Sequence, residues 1–360
     1  MVIYWLASLI SMGITAIITK GPFGDSLIKK RLFFSAILCA FPLIALSGLR
    51  YGIGKDYSSY EFIYNIIGPT MSNEHQYEPV FTYLIVGLNR LGLSSQWFIA
   101  VTSILFLVLV FSSILEESPY SGLSIFLLIS MQFYFQSTNI IRQMIACSIC
   151  LYSIRYIKRR RFIPFLICVI LAYGFHTSGV LFFPAFFLYG KRLKTRWYFG
   201  IIIVTFVVLN VLSGFLSSII VRLSSKLNNG YYLTYFKTNA ENRIGIVSFL
   251  INLLIFLWAD YSIKPKEDQF SDFLLNMQFV AVLLSILNGS FPLIYRFRFY
   301  YAMPGIILIP KTINSKKLNY SSKIISGTLI VILFSLYIYY IEGYMNQSGA
   351  IPYMSVLNHT

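Results

Sequence analysis

The sequence predicts an all-α polytopic integral membrane protein with about 10–12 transmembrane helices. Of its 360 residues, 57% are apolar and only 12% are charged, and the mean hydropathy is +0.70. A water-soluble domain carries about 25% charged residues. Apolar runs of about 18 residues or more, the length that spans a bilayer, recur from end to end. These observations argue against a soluble enzyme and a disulfide scaffold. They also argue against nucleic-acid binding, because the net charge of +16 fits basic cytoplasmic loops.

The apolar runs place most of the helices directly. The predicted helices are 2–19, 32–49, 96–115, 120–136, 139–157, 197–221, 244–261, 272–289 and 322–341. Segment 79–93 is short, segment 162–190 is too long for one untilted span, and segment 291–310 contains three prolines. Because no repeat or interdomain linker is visible, residues 1–360 are predicted to form a single transmembrane domain.

Five basic clusters give the orientation, since lysine and arginine concentrate in cytoplasmic loops. They lie at 29–31, 158–161, 191–196, 264–266 and 311–323. If all five face the cytoplasm, segment 162–190 leaves and returns, as a re-entrant hairpin that turns near His176. Segment 79–93 then lies at the outer surface or is re-entrant; if it crosses instead, every later segment is reversed.

The first outer loop, 50–78, contains the first group of candidate residues. Arg50 directly follows an apolar run, and Gly52 and Gly54 form a turn that places Asp56 beside it. Tyr57, Tyr60 and Tyr64 recur at helical spacing, which predicts a short amphipathic helix in the membrane interface. An ordinary aromatic belt explains the tyrosines equally well.

Two further elements reach the same predicted face. Arg142, followed by Gln143, opens a helix at its outer end, where the helix dipole disfavours a cation. An ionisable residue this close to hydrocarbon is a functional candidate, although a snorkelling arginine is the alternative. His176 lies at the turn of the 162–190 hairpin.

The remaining candidates lie later in the chain. Arg296 and Arg298 alternate with aromatic residues, a pattern that suits an anionic headgroup carrying sugars, because arginine makes bidentate phosphate contacts. The outer loop 222–243 is rich in tyrosine and includes Arg243, and it is long enough to cover such a site. No P-loop and no metal-binding motif occurs, so we expect no metal or other cofactor.

Four stretches, in this order, resemble the EpsG family, which groups with Wzy-type polymerases of bacterial surface polysaccharides. They are Arg50-x-x-x-Gly54-x-Asp56-Tyr57-x-x-Tyr60, then Glu78-Pro79-x-Phe81, then Ile141-Arg142-Gln143-x-Ile145-Ala146, then Phe175-His176-x-Ser178. One departure is Val80, where the family pattern has glycine. The resemblance implies a GT-C-like architecture in the bacterial cytoplasmic membrane, with the active site facing the periplasm or exterior.

The implied reaction is polymerisation of undecaprenyl-diphosphate-linked oligosaccharide units into O-antigen, capsule or exopolysaccharide. Arginines would stabilise the diphosphate leaving group, and His176 is the first choice for the base, with Asp56 and Glu78 as alternatives. Substrate contacts are expected from seven further residues: Arg296, Arg298, Gln143, Lys55, Tyr57, Tyr60 and Arg243. Expected partners are the bilayer, the lipid-linked sugars, and a chain-length regulator and flippase of the same pathway. Two alternatives stay open: a lipid-linked oligosaccharide flippase or transporter, and a membrane acyltransferase that modifies the same glycan.

Overall fold

A computed structural model describes residues 1–21, 28, 30–70, 77–208, 211, 242–266, 268–286 and 294–358. Most of the predicted outer loop 222–243, with the side chain of Arg243, lies outside the described residues. Across the described part of the chain the fold is all-α, as predicted. The sheet-like pairing found there is an isolated antiparallel bridge between Arg50 and Ser355.

The helices follow the apolar runs, usually to within two residues. In chain order they are α1 Val2–Lys20, α2 Leu32–Gly48, α3 Tyr57–Thr70, α4 Pro79–Arg90, α5 Ser95–Glu117, α6 Ser121–Ser130, α7 Phe133–Asn139, α8 Ile141–Lys158, α9 Phe162–Phe175, α10 Thr195–Val208, α11 Asn242–Ser262, α12 Gln269–Ile286, α13 Arg298–Ala302, α14 Gly305–Ile313 and α15 Tyr320–Ile338. A 3₁₀ helix, Thr177–Leu188, follows α9, and a π-helix, Tyr339–Tyr344, continues α15.

Four helical segments of the described chain are long and apolar enough to cross a membrane, judged by length and composition. They are Val2–Lys20, Ser95–Glu117, Gln269–Ile286 and Tyr320–Tyr344. Several shorter apolar helices accompany them, among them α2, α6, α9 and α10. The predicted class, an all-α polytopic membrane protein, is therefore confirmed.

The chain divides into two compact units. The first comprises Met1–Phe186 and Leu318–Thr360, and the second comprises Phe187–Lys317. In the first unit, α5 packs against α2 and α8, α8 also packs against α9, and α1 packs against α2 and α6. In the second unit, α12 packs against α11, α13 and α14.

The helix predicted over 120–136 is wrong in one respect, because it is broken in two. Gln132 has a φ of +69°, in the left-handed region that interrupts a helix. Its side-chain amide donates to the carboxylate of Glu342 at 3.2 Å and to Gln347 at 3.4 Å. The break is therefore fixed by partners about 210 residues later in the chain, which no local pattern indicates.

The predicted hairpin over 162–190 is confirmed, with its turn at His176. The aromatic rings of Phe162 and Phe186 lie 5.1 Å apart, and those of Phe165 and Phe182 lie 6.2 Å apart. These pairs match early residues of α9 with late residues of the 3₁₀ helix, so the chain reverses between them.

Candidate functional site

The tyrosine face of α3 is packed inside the protein. Tyr57, Tyr60 and Tyr64 are 6%, 7% and 1% exposed. The Tyr57 hydroxyl donates to Gln96 at 3.0 Å, and the Tyr64 hydroxyl donates to the carbonyl of Leu93 at 2.6 Å. The predicted helix is present, but its tyrosines pack against neighbouring protein elements. In an aromatic belt they would be exposed.

The turn that leads into α3 is clamped on two sides. The backbone N–H of Lys55 donates to the Asn139 side chain at 2.6 Å, and that of Gly54 donates to the carbonyl of Gly349 at 3.2 Å. Gly54 has a φ of +101°, and a Cβ there would lie 2.9 Å from the carbonyl oxygen of Thr138. Only glycine fits this close approach. The turn thereby fixes the half-buried Asp56 at the start of α3.

The second clamp is the C-terminal segment 346–358, which sequence analysis missed. Tyr51 N–H donates to the Met354 carbonyl and Val356 N–H to the Leu49 carbonyl, both at 3.0 Å. The Tyr4 hydroxyl also donates to the carbonyl of Ala350 at 2.8 Å. Because these partners are backbone groups, the sequence carries no residue signal for them. The segment ties the turn that precedes α3 to the rest of the unit.

Arg142 and Glu78 form the charged centre of the site. Arg142 lies in the first turn of α8 and donates a short hydrogen bond to one oxygen of the Glu78 carboxylate. The other oxygen accepts the backbone N–H of Thr177, at 3.0 Å. Glu78 precedes the first turn of α4, where the helix dipole favours an anion. This carboxylate therefore joins α4, α8 and the hairpin turn.

Aromatic groups surround the Arg142 guanidinium. Its central carbon lies 4.9 Å from the ring centroid of Tyr77 and 5.5 Å from that of Phe81. Tyr60 presents its phenol oxygen to both the guanidinium and the backbone N–H of Arg142. Burial raises the pKa of the Tyr60 phenol, and the opposing effect of the Arg142 charge is smaller. Tyr60 is therefore protonated at neutral pH and accepts hydrogen bonds from Arg142. The aromatic contacts were not predicted.

His176 ends α9, and its ring nitrogen Nδ1 is engaged within the hairpin turn. Nδ1 lies 2.6 Å from the Ser178 hydroxyl and accepts the backbone N–H of Ser178 at 3.3 Å. Since a backbone N–H can only donate, Nδ1 carries a lone pair, and the proton of the neutral ring lies on Nε2. His176 is half-buried in the described structure. In this tautomer the hydrogen-bond donor of the ring is Nε2–H.

Arg50 is buried behind the loop, at 1% exposure. One nitrogen donates to the Ser47 carbonyl and the Ser47 hydroxyl at 2.8 Å, and to Ser103 at 3.2 Å. The other two nitrogens, Nε and Nη2, have no hydrogen-bond partner within the described residues. Burial lowers the pKa of Arg50 to about 10, and the opposing effect of nearby tyrosines is smaller. Arg50 lies near the site without facing its surface.

Gln143, Arg296 and Arg298 were also predicted to contact substrate. Gln143 is 2% exposed, so in the described structure a substrate cannot reach its side chain. Arg296 and Arg298 belong to the second unit. Within the described residues, no group of three or more histidine, cysteine, aspartate or glutamate side chains is arranged to hold a metal ion.

Fold and site together define a membrane-integral, all-α protein whose charged centre joins three chain segments. The sequence profile of the EpsG family matches residues 33–355, nearly the whole chain, and the chain belongs to that family. The family is associated with Wzy-type polysaccharide polymerases. No curated protein and no solved structure gives a significant match to the chain.

Proposed function

We propose that the protein is a glycosyltransferase that polymerises undecaprenyl-diphosphate-linked oligosaccharides at the outer face of the bacterial cytoplasmic membrane. EpsG membership supports a polysaccharide polymerase role in general. The fixed arrangement of Arg142, Glu78 and Thr177 supports a donor sugar that is linked to its lipid through a diphosphate. A chain-length regulator and a flippase of the same pathway are the proposed protein partners.

The observation that carries the proposal is the position of Arg142. Its side chain is 25% exposed, and it is held by a carboxylate and two aromatic rings. A guanidinium fixed before substrate arrives can stabilise the negative charge that develops on a diphosphate leaving group. Arg50, at 1% exposure, cannot contact the substrate directly; its proposed role is to position the loop that carries Asp56.

The acceptor hydroxyl needs a base, and we assign this role to Asp56, with His176 and Glu78 as the alternatives. Glu78 already serves as the ion-pair partner that orients Arg142, and Nδ1 of His176 accepts the backbone N–H of Ser178. Asp56 is half-buried, and its charge acts on Tyr60, which faces Arg142. We assign His176 Nε2–H as a donor to a diphosphate or sugar oxygen.

In the proposed step, the acceptor oxygen forms a bond to the anomeric carbon and transfers its proton to Asp56. The bond between the anomeric carbon and the diphosphate oxygen breaks, and its electron pair leaves with undecaprenyl diphosphate. Arg142 stabilises the charge on that leaving group. The developing charge is created in a partly desolvated site, where a fixed cation acts more strongly than in water.

The test is deletion of the gene in its host, followed by electrophoresis of the surface glycan. We expect a ladder of long chains to collapse to one repeat unit, with recovery by the wild-type gene and none by Arg142→Ala. Arg159→Ala is the matched control, since Arg159 lies at the opposite end of the same helix with a 54% exposed side chain. It should restore the ladder.

Other outcomes would contradict the proposal. Loss of all surface glycan, including single units, would indicate export and favour the flippase. An unchanged ladder lacking acyl groups would favour the acyltransferase. For the base, Asp56→Asn should abolish polymerisation by purified protein, whereas His176→Gln, which keeps a donor, should retain part of it; the reverse pattern would make His176 the base.

A further inference from the structure

A cavity of about 600 Å³ in the second unit is lined almost entirely by lysines. Its lining residues are Lys264, Pro265, Lys266, Lys316 and Lys317. We call it the lysine cavity. It lies between the turn after α11 and the turn after α14, and the proposed function makes no use of it.

The two turns that form the cavity are joined by specific contacts. The Ser315 hydroxyl donates to the carbonyl of Ser262 at 2.7 Å. The ammonium group of Lys317 donates a short hydrogen bond to the Tyr261 carbonyl and lies 4.3 Å from the centroid of the Tyr261 ring. These contacts hold lysines from two separate turns around one cavity.

One lysine is held in an uncommon backbone conformation. Lys266 has a φ of +63°, which is unfavourable for a residue other than glycine. Its backbone N–H donates to Asp272 at 3.0 Å, and Asp272 is bound in turn by the buried guanidinium of Arg192 at 2.7 Å. A buried ion pair therefore maintains the turn that presents Lys266.

An exposed apolar stripe on α11 leads to the cavity. Ile246, Leu250, Leu254 and Tyr261 are 61%, 47%, 64% and 71% exposed, and their spacing places them along one helix face. The stripe ends at Tyr261, the residue that holds Lys317. An apolar path ending in a basic cavity matches an amphiphile with an anionic head.

We propose that the lysine cavity binds a phosphate group, supplied by the headgroup of an anionic phospholipid whose acyl chains lie along α11. The four lysines provide the positive potential, and the exposed stripe provides the apolar contact. A soluble phosphate compound would use the lysines alone. The stripe therefore favours the lipid as the source.

The test uses the purified full-length protein in detergent, with lipid binding measured by native mass spectrometry. We expect phosphatidylglycerol to bind more tightly than phosphatidylcholine. Lys264→Ala with Lys316→Ala should weaken phosphatidylglycerol about 30-fold, because each lysine near a membrane surface contributes about 1 kcal/mol and 1.4 kcal/mol corresponds to tenfold. Lys191→Ala with Lys194→Ala, which removes the same charge outside the cavity, should weaken it less than threefold.

Three results would overturn the proposal. Equal losses in both double variants would indicate general surface electrostatics. Equal binding of the two lipids would leave the lysines without a role. Displacement of phosphatidylglycerol by an equimolar amount of inorganic pyrophosphate would assign the cavity to a soluble phosphate compound. If the alanine pair unfolds at a lower temperature without lipid, Lys264→Gln with Lys316→Gln repeats the measurement with less loss of packing.

Discussion

Glu78 is predicted to act through Arg142, and substitution by glutamine tests this relation. Glu78→Gln keeps the shape of the side chain, and its amide oxygen can still accept the Thr177 N–H. It removes the negative charge that orients the guanidinium. Arg142 then keeps its contacts with the rings of Tyr77 and Phe81 but loses its ion pair.

The structure sets the size of the effect. The Glu78 and Arg142 side chains are 9% and 25% exposed, between the limits of a surface pair and a buried one. Exposed pairs contribute about 0–1 kcal/mol, and breaking a buried pair costs about 3–5 kcal/mol. We therefore expect Glu78→Gln to lower the free energy of unfolding by about 2 kcal/mol.

The expected effect on catalysis is larger than the effect on stability. A misplacement of about 1 Å at a catalytic group costs about 100-fold, which we expect in kcat for Glu78→Gln. KM should stay near the wild-type value, because the positive charge remains. Arg142→Ala should lose about 1000-fold, as for removal of one group that stabilises the developing charge.

The decisive assay is the double variant, with polymerisation rates measured on purified protein and a lipid-linked repeat unit. If Glu78 works by orienting Arg142, the double variant should be no slower than Arg142→Ala alone. A further 100-fold loss in the double variant would refute this reasoning, since Glu78 would then act on the substrate itself. Thermal unfolding of each variant separates lost activity from lost folding.

Two further predictions concern the parts that hold the site and the second unit. Gly349→Ala should loosen the C-terminal segment and lower the polymerisation rate while membrane insertion is retained, since Gly349 has a φ of +66°. Gly13→Ala is the control: its site has open space around it, so neither the polymerisation rate nor membrane insertion should change. Asp272→Asn should destabilise the protein by about 2 kcal/mol, because it removes one of the two buried carboxylates that pair with Arg192 while Asp260 still compensates the charge. Asp268→Asn, at a side chain 44% exposed, should cost about 1 kcal/mol or less, and thermal unfolding measures both.

The helices were predictable because apolar length is a local property of the chain. The turn at His176 also followed from sequence, since two basic clusters flank a segment too long for one span. Orientation then grouped Arg50, Arg142 and His176 on one face. In the described structure Arg142 does lie near the residue after His176, joined to it through Glu78.

Burial and long-range partners could not be predicted in the same way. The spacing of Tyr57 and Tyr60 gives a helix face, but no local pattern says whether lipid or protein covers it. The broken helix at Gln132 depends on Glu342, and the turn at Gly54 depends on backbone groups of the C-terminal segment. Such contacts arise only when distant segments pack.

Arg50 is where stability and function are expected to conflict. Burial lowers its pKa in the folded protein to about 10, well below its ordinary range, so its protonated form costs about 3 kcal/mol more in the fold than in water. Deprotonation begins to relieve this cost only near pH 10. Since the folded-state value is the lower one, the cost is present in full at neutral pH.

Arg50→Met, which fills a similar volume without a charge, should therefore leave the unfolding temperature at or above that of wild type, by the same margin at pH 6 and pH 8. Arg50→Ala should lower the unfolding temperature, because it leaves a cavity. Polymerisation should fall in both variants if the buried charge is needed to position the loop that carries Asp56. Full activity in Arg50→Met would show instead that side-chain volume suffices. The two guanidinium nitrogens that lack a partner among the described residues would then have no part in the reaction.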